Sequence, residues 1–164
     1  MILFLDTEFT DFQQPALISL GLVSECGRYA FYAERTDYSA AACSTFVREN
    51  VIPKLGQNLP LPGGRMDAAG LTAALGGWLA EVHALDTHLE DGGAVLVLHD
   101  FQTDFDLFTT ALDGNLPAWV EGHNVAVRLG WVGSSAGADA HHALHDAKAL
   151  RAAWLATRPA NWME

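Results

Sequence analysis

The chain is poor in basic residues. Nine Lys and Arg stand against twenty Asp and Glu, which gives a formal net charge of −11 at pH 7. A protein that holds a long nucleic acid through its phosphates needs many basic side chains, so this composition argues against an extended basic groove. Binding of an anionic polymer would have to rely on bound cations and on aromatic stacking at a short segment.

Cysteine is scarce as well. Cys26 and Cys43 form no CxxC pattern, which argues against a disulfide framework or a structural zinc site. We expect both to be small buried hydrophobic residues.

Apolar runs are also short, and none approaches the ~18 residues that a membrane-spanning helix requires. No basic region precedes an apolar stretch at the N-terminus, and Asp6 and Glu8 lie where a signal peptide is apolar, so we expect a cytoplasmic protein without a membrane partner.

The chain has 164 residues, of which 50% are hydrophobic, and this suits one domain over residues 1–164. The apolar patterns predict strands at 1–6, 16–24, 28–33 and 94–98, a weakly indicated strand within 119–127, and helices at 44–55, from 67 onward, at 103–112 and at 142–156.

Short turns join the first three predicted strands, which therefore form an antiparallel meander. The strand at 94–98 is continuously apolar and should lie inside the sheet. Residues 56–66 contain two prolines and three glycines and predict a loop. The pattern indicates an α/β protein with a mixed sheet flanked by helices.

Two carboxylates stand together at the end of the first predicted strand. Asp6 and Glu8 are two residues apart, so both point to the same face. Crowded carboxylates repel each other and lose hydration, and a hard divalent cation such as Mg²⁺ or Mn²⁺ compensates for both effects. Taken alone, this segment is equally compatible with two solvated acids.

Two further motifs follow. The segment AVLVLHDFQTDFDLF carries an apolar strand into Asp100, Asp104 and Asp106, and HHALHDAKALRAAW places His141 four intervening residues before Asp146. In this order, the three motifs resemble the DEDDh family of 3′–5′ exonucleases, which includes RNase T, oligoribonuclease and the proofreading subunits of DNA polymerases. The motifs extend from residue 6 to residue 146.

The resemblance implies an RNase H-like fold and a single 3′–5′ exonuclease domain that releases nucleoside 5′-monophosphates. It implies two Mg²⁺ or Mn²⁺ ions held by Asp6, Glu8, Asp104 and Asp146, with Asp6 between both ions and Glu8 orienting the attacking water. His141 matches the general base, and an imidazole pKa near 6.5 suits proton abstraction at neutral pH.

Two assignments have alternatives. The family's third acid usually follows the pattern Asn-x-x-Phe-Asp, which puts Asp104 at the acid and Asp100 at the asparagine. A shift by two residues would select Asp106 instead. His142 and His145 compete with His141, and the family's spacing of five positions before the aspartate selects His141. Taken alone, His142 and His145 are each expected to be ordinary surface histidines. A Zn²⁺ site formed by these three histidines is a separate hypothesis.

Substrate contacts are also implied by the resemblance, around the segment after Asp6. Phe12 stands where the family has a leucine that wedges against the terminal base, and stacking on an aromatic ring contributes about 1–3 kcal/mol per base. Asp11 replaces a glycine of the family's loop. The substrate-binding residues assigned in this way are Thr7, Phe9, Thr10, Phe12 and Asp100. Lys148 and Arg151 are candidates for a phosphate contact.

The acidic composition favours single-stranded RNA or short oligonucleotides over duplexes. The motifs do not separate RNA from DNA, because that choice depends on contacts to the 2′-OH. A DNA-directed proofreading or repair exonuclease and a non-catalytic binding module remain alternatives. By resemblance to the small stand-alone family members we expect a homodimer, in which a partner subunit could add basic residues.

Overall fold

The computed structural model describes residues 1–57, 63–85, 93–130 and 140–157. Its strands are β1 (Ile2–Phe9), β2 (Leu17–Ser24), β3 (Ala30–Arg35), β4 (Gly63–Met66), β5 (Val95–His99) and β6 (Val120–Asn124). Its α-helices are α1 (Thr45–Asn50), α2 (Ala68–Leu85), α3 (Gln102–Ala111), α4 (Ala126–Leu129) and α5 (Ala143–Thr157), and short 3-10 turns occupy Ala40–Ala42 and Ile52–Lys54.

The strands form one mixed six-stranded sheet in the order β4-β3-β2-β1-β5-β6. β1, β2 and β3 pair as an antiparallel meander, while β4, β5 and β6 add in parallel to their neighbours. The predicted α/β class with a mixed sheet and flanking helices is therefore confirmed. The strand that begins the chain is longer than predicted, because β1 continues to Phe9 and includes both of its acids.

Helices cover both faces of the sheet. The face that carries Leu3 and Leu5 packs against α2 and α3. The opposite face carries Ile2 and Phe4 and packs against α4 and α5. The apolar stripe predicted for the helix after residue 67 is confirmed as core: Leu71, Leu75, Trp78, Leu79 and Val82 are all buried. Asp6 and Glu8 continue the even-numbered series of β1 and face α5.

The structure corrects three local predictions. Gly63–Met66 is not a loop, because it forms an edge strand beside β3, and residues 58–62 lie outside the described part. The helix predicted at 44–55 ends at Asn50, before the 3-10 turn that contains Pro53; its predicted N-cap is confirmed, since Ser44 Oγ accepts a hydrogen bond from the Val47 amide at 3.2 Å. Cys43 is buried as expected, but Cys26 is exposed in the turn between β2 and β3.

None of the helices among the described residues has the length and apolar character that crossing a membrane would require.

Candidate metal centre

The site begins on β1, where Glu8 is buried and Asp6 is half-buried. Their face of the sheet is covered by the first turn of α5, which approaches β2 closely. A Cβ atom on Gly21 would lie 2.4 Å from the Leu144 amide nitrogen. Gly21 pairs with Asp6 across the strands, so its missing side chain lets the start of α5 rest beside the carboxylates. A glycine inside a continuously apolar strand signals such a close approach, and sequence reasoning did not use this signal.

The second acidic segment comes from the β5–α3 connection. β5 runs parallel to β1, so Asp100 leaves the sheet at the same end as Asp6. Carboxylate oxygens of Asp6, Asp100 and Asp104 lie within 4.8 Å of one another. The Thr7 hydroxyl donates a hydrogen bond of 2.7 Å to Oδ1 of buried Asp104. Thr7, one of the predicted substrate contacts, therefore holds a carboxylate of the site.

The two candidates for the third acid have different surroundings. Asp104 is buried and faces Asp6, whereas Asp106 is exposed and accepts a hydrogen bond of 3.0 Å from the Gln102 side chain. Both lie on α3, and two residues of helix rotate the side chain by about 200°. The structure thus brings Asp104, and not Asp106, to the acids of β1.

The third segment is the start of α5. Glu8, His141 and Asp146 each offer a ligand atom, and these atoms lie within 4.8 Å of one another. His141 precedes the helix with a left-handed backbone (φ 64°), and its ring meets that of Phe46 edge-to-face, with 4.8 Å between ring centroids. This second group lies beside the first, because Glu8 of the second group and Asp6 of the first are two residues apart on the same face of β1.

Burial, and after it the charges of neighbouring acids, raises the pKa of carboxyl groups in this cluster. Burial raises the pKa of Glu8 from 4.5 to about 8, with Asp146 and Asp104 adding to the rise and Lys54 opposing it. Burial also raises the pKa of Asp104 from 3.8 to about 7, against the opposing hydrogen bond from Thr7. The pKa of Asp6 is raised well above its ordinary value by burial and by four neighbouring carboxylates.

Such a cluster fits divalent cations. Two adjoining groups of hard oxygen donors are held close together in a partly desolvated place, where positive charge would offset their repulsion. The carboxylate oxygens are ligands that hard divalent cations prefer.

The other two candidate bases lie differently. His142 is buried, its ring stacks between those of Tyr32 and His145, and its Nε2 lies 3.4 Å from the Gln57 carbonyl oxygen. Burial lowers the pKa of His142. Within the described ranges, neither His142 nor His145 belongs to a group of side chains close enough to share a metal ion. The expectation that His142 is an ordinary surface histidine is wrong, because the ring faces β3.

The predicted substrate contacts divide into exposed and buried side chains. Phe12 is 75% exposed, and its ring meets those of Phe9 and Phe101 edge-to-face. Thr10 is fully buried, and its hydroxyl oxygen accepts a hydrogen bond of 3.1 Å from the Ala16 amide. Phe9 is half-buried and packs against the core on the α2–α3 side.

Three residues near the site were missed by sequence reasoning. Phe46 and Phe101 are exposed aromatics that contact His141 and Phe12, respectively. Lys54 lies near enough to Glu8 to lower the pKa of its carboxyl. These contacts join distant parts of the chain, so no local pattern indicates them.

The two basic residues proposed as phosphate contacts lie elsewhere on α5. Arg151 donates a hydrogen bond of 2.7 Å to the Glu25 carbonyl, and Lys148 is exposed.

Comparison with known proteins adds no assignment, since no family model and no curated protein matches this chain.

Proposed function

We propose that this protein is a metal-dependent 3′–5′ exonuclease of the DEDDh family, with an RNase H-like fold. The observation that carries the proposal is the convergence of three segments distant in sequence. Two adjoining and largely buried groups are formed in this way: Asp6 on β1 with Asp104 on α3, and Glu8 on β1 with His141 and Asp146 at the start of α5. Structural acids rarely accumulate in this way without a compensating ligand, because each raises the cost of burying the next.

In this proposal Asp6, Glu8, Asp104 and Asp146 hold two Mg²⁺ or Mn²⁺ ions. Bound there, the cations supply activation of water and stabilisation of the leaving oxygen. A ring nitrogen of His141 accepts a proton from the attacking water. The new P–O bond forms as the P–O3′ bond breaks, which yields a nucleoside 5′-monophosphate and a strand shortened by one residue with a free 3′-OH.

The substrate is single-stranded RNA or a short oligonucleotide. The exposed rings of Phe12 and Phe101 contact each other, and the exposed ring of Phe46 contacts His141; rings of this kind stack on unpaired bases of any identity. The chain carries only nine Lys and Arg, which disfavours a substrate that must be gripped along many phosphates. We propose that the protein is cytoplasmic and forms a homodimer. Sedimentation at micromolar concentration tests the homodimer directly.

The test is incubation with 3′- and 5′-labelled RNA and DNA oligomers in Mn²⁺, Mg²⁺ or EDTA. We expect stepwise shortening from the 3′ end of RNA, loss of activity in EDTA, and loss of nearly all turnover in Asp6→Asn. His141→Ala should lower kcat by roughly 10²–10⁴-fold, the range for loss of a general base.

Other results of this assay would support a different function or mechanism. Faster shortening of DNA than of RNA would support a proofreading or repair enzyme. Binding of oligomers without hydrolysis would support a non-catalytic module. Full activity in EDTA would remove the two-metal reading.

A further inference from the structure

His142 stands next to the proposed base, but its side chain turns away from the carboxylates and into the protein. Its ring is 3% exposed and stacks on the Tyr32 ring, with 4.5 Å between centroids and 21° between planes. On its other side, the His145 ring stacks at 4.3 Å. Its Nε2 lies 3.4 Å from the Gln57 carbonyl oxygen, to which a protonated Nε2 donates.

The partners of His142 are themselves tied together. The Tyr32 hydroxyl donates a hydrogen bond of 2.9 Å to Oε1 of Glu34. The Gly56 amide donates to the same oxygen at 2.6 Å. Glu34 thus fixes both the ring that stacks on His142 and the segment whose carbonyl accepts from it. We call this set of residues the His142 clamp: Tyr32, Glu34, Gly56, Gln57 and His142.

The clamp is costly if its only purpose is packing. The Glu34 carboxylate is 1% exposed, and its one ion pair among the described residues joins Oε2 to Nε of exposed Arg65 at 3.4 Å. Nδ1 of His142 is buried without a hydrogen-bond partner among the described residues. Burying such groups is unfavourable compared with apolar side chains of similar volume. An apolar residue at 142 would seal the contact between α5 and β3 equally well, so packing alone does not account for a histidine.

What the clamp does is hold the backbone beside the base. His141 has a left-handed backbone (φ 64°), which is uncommon for a residue with a side chain and persists only when neighbouring contacts impose it. Its own contacts are the amide hydrogen bond to Asp146 and the ring contact with Phe46. His142, one peptide bond away, contacts Tyr32 and so links this backbone to β3.

We propose that His142 is a positioning residue, which holds the His141 imidazole against Glu8 through its ring stacking and its hydrogen bond to Gln57. This proposal rests on the proposed function for its kinetic consequences. The positioning itself is a geometric property of the protein and is measured separately.

The test compares His142→Leu, which keeps an apolar filling but removes the stacking and the donor, with His142→Gln, which keeps a donor that can reach the Gln57 carbonyl. The matched control is His83→Leu on α2. The His83 ring is likewise stacked, at 4.1 Å from Trp119, and its Nε2 lies 3.2 Å from the Gly93 carbonyl oxygen. It therefore loses the same kinds of contact, in another part of the fold.

The readouts are kcat and KM on a short labelled oligomer with Mn²⁺, the melting temperature, and the imidazole NMR signals of His141 in the metal-free protein. We expect His142→Leu to lower kcat about 10- to 100-fold, to change KM by less than about threefold and to shift the His141 signals. His142→Gln should recover most of kcat and of the signals. His83→Leu should lower only the melting temperature.

A His142→Leu variant that loses melting temperature as His83→Leu does, but keeps kcat and the His141 signals, overturns the proposal. If His142→Leu does not fold, His142→Phe replaces it, because phenylalanine keeps the stacked ring and removes only the hydrogen bond. A lower kcat with shifted His141 signals in His142→Phe then supports the proposal, and unchanged values overturn it. If the wild-type protein hydrolyses no oligomer, the proposed function fails, and the NMR signals alone then decide the positioning: unchanged signals overturn it, and shifted signals that His142→Gln restores support it.

Discussion

The backbone amide of His141 donates a hydrogen bond of 2.7 Å to Oδ2 of Asp146. The proposed fourth metal ligand therefore also holds the backbone of the proposed base, just before α5 begins. A carboxylate near a helix N-terminus is favourable in its own right, because it accepts from free amides and faces the positive end of the helix dipole. One side chain thus serves both the helix start and the cluster.

Replacing Asp146 separates these two roles. Asp146→Asn keeps an oxygen that can accept from the His141 amide, whereas Asp146→Ala removes it. We expect both variants to lose nearly all turnover. Only Asp146→Ala should also lose about 1–2 kcal/mol of unfolding free energy relative to Asp146→Asn, the range for losing a helix cap. Urea unfolding in EDTA measures this difference, and equal stabilities would contradict the capping role.

The third acid is tested by a pair of variants on one helix. Asp104→Asn removes a buried carboxylate that faces Asp6, and should be as damaging to turnover as Asp6→Asn. Asp106→Asn changes an exposed side chain whose partner is Gln102, and should leave most activity. Measuring kcat for both variants at saturating Mn²⁺ decides between them, and the opposite ranking would support the shifted alignment.

Much of the fold follows from local patterns. The strands of the meander and the stripe of α2 are continuous signals over many residues, and their existence is predicted with only small errors at their ends. β4 was missed because Gly63 and Gly64 indicate a loop by composition. Its strand character depends on pairing with Tyr32 and Ala33, about thirty residues away, which no local pattern contains.

The site shows the same division. The structure brings together acids and a histidine, His141, that were predicted from a family resemblance carried by their order and spacing along the chain. Phe46 and Lys54 were not found, since each reaches the site only through tertiary packing of the segment from α1 to the following 3-10 turn. His142 was misjudged for a related reason: nothing in its own segment indicates that Tyr32 lies opposite.

Gly21 gives a test of how closely α5 must approach the sheet. In Gly21→Ala the new Cβ would lie 2.4 Å from a backbone nitrogen and 2.5 Å from the Ala143 carbonyl carbon. Backbone atoms cannot move aside as a flexible side chain can, so we expect a loss of about 3 kcal/mol, the upper part of the usual range for overpacking. The displaced helix start should lower turnover in whatever fraction remains folded.

Gly77→Ala is the matched control. Gly77 lies inside α2, and among the described residues no atom outside its chain neighbours and its own helix backbone lies within 4 Å of the position of a Cβ. Alanine there should raise the unfolding free energy by about 0.5–1 kcal/mol without affecting kcat. A Gly21→Ala protein as stable as wild type would show that α5 does not need this contact.

The pH dependence of stability should reveal the carboxylate repulsion. Because the pKa of Glu8 is raised from 4.5 to about 8, the folded metal-free protein keeps a proton that the unfolded chain has released. Its contribution to stability is present at low pH and is lost as pH rises toward 8. The difference in unfolding free energy between wild type and Glu8→Gln should therefore shift in favour of the variant as pH rises from 6 to 8.5.

Comparing these two proteins cancels titrating groups that do not interact with Glu8, including His99 and Cys26. Mn²⁺ should reverse the trend for wild type, since a bound cation favours the ionised carboxylates, and its stabilising effect should be larger at pH 8 than at pH 6. Thermal unfolding with and without Mn²⁺ measures both. A wild-type advantage over Glu8→Gln that grows with pH in EDTA would contradict the raised pKa.

Phe12 should control affinity for unpaired ends. Phe12 is 75% exposed, and its ring contacts those of Phe9 and Phe101 edge-to-face, so most of its surface is accessible to a base. If loss of stacking costs about 1–3 kcal/mol, Phe12→Ala should raise KM for a single-stranded oligomer by roughly 5- to 150-fold, with a much smaller change in kcat. Phe12→Trp should keep the wild-type KM.

Leu155→Ala is the control, since it removes an exposed apolar side chain from the far end of α5 and should change neither constant. A fall in kcat with an unchanged KM in Phe12→Ala would instead mean that the ring acts on the geometry of the acids, through its contacts with Phe9 and Phe101.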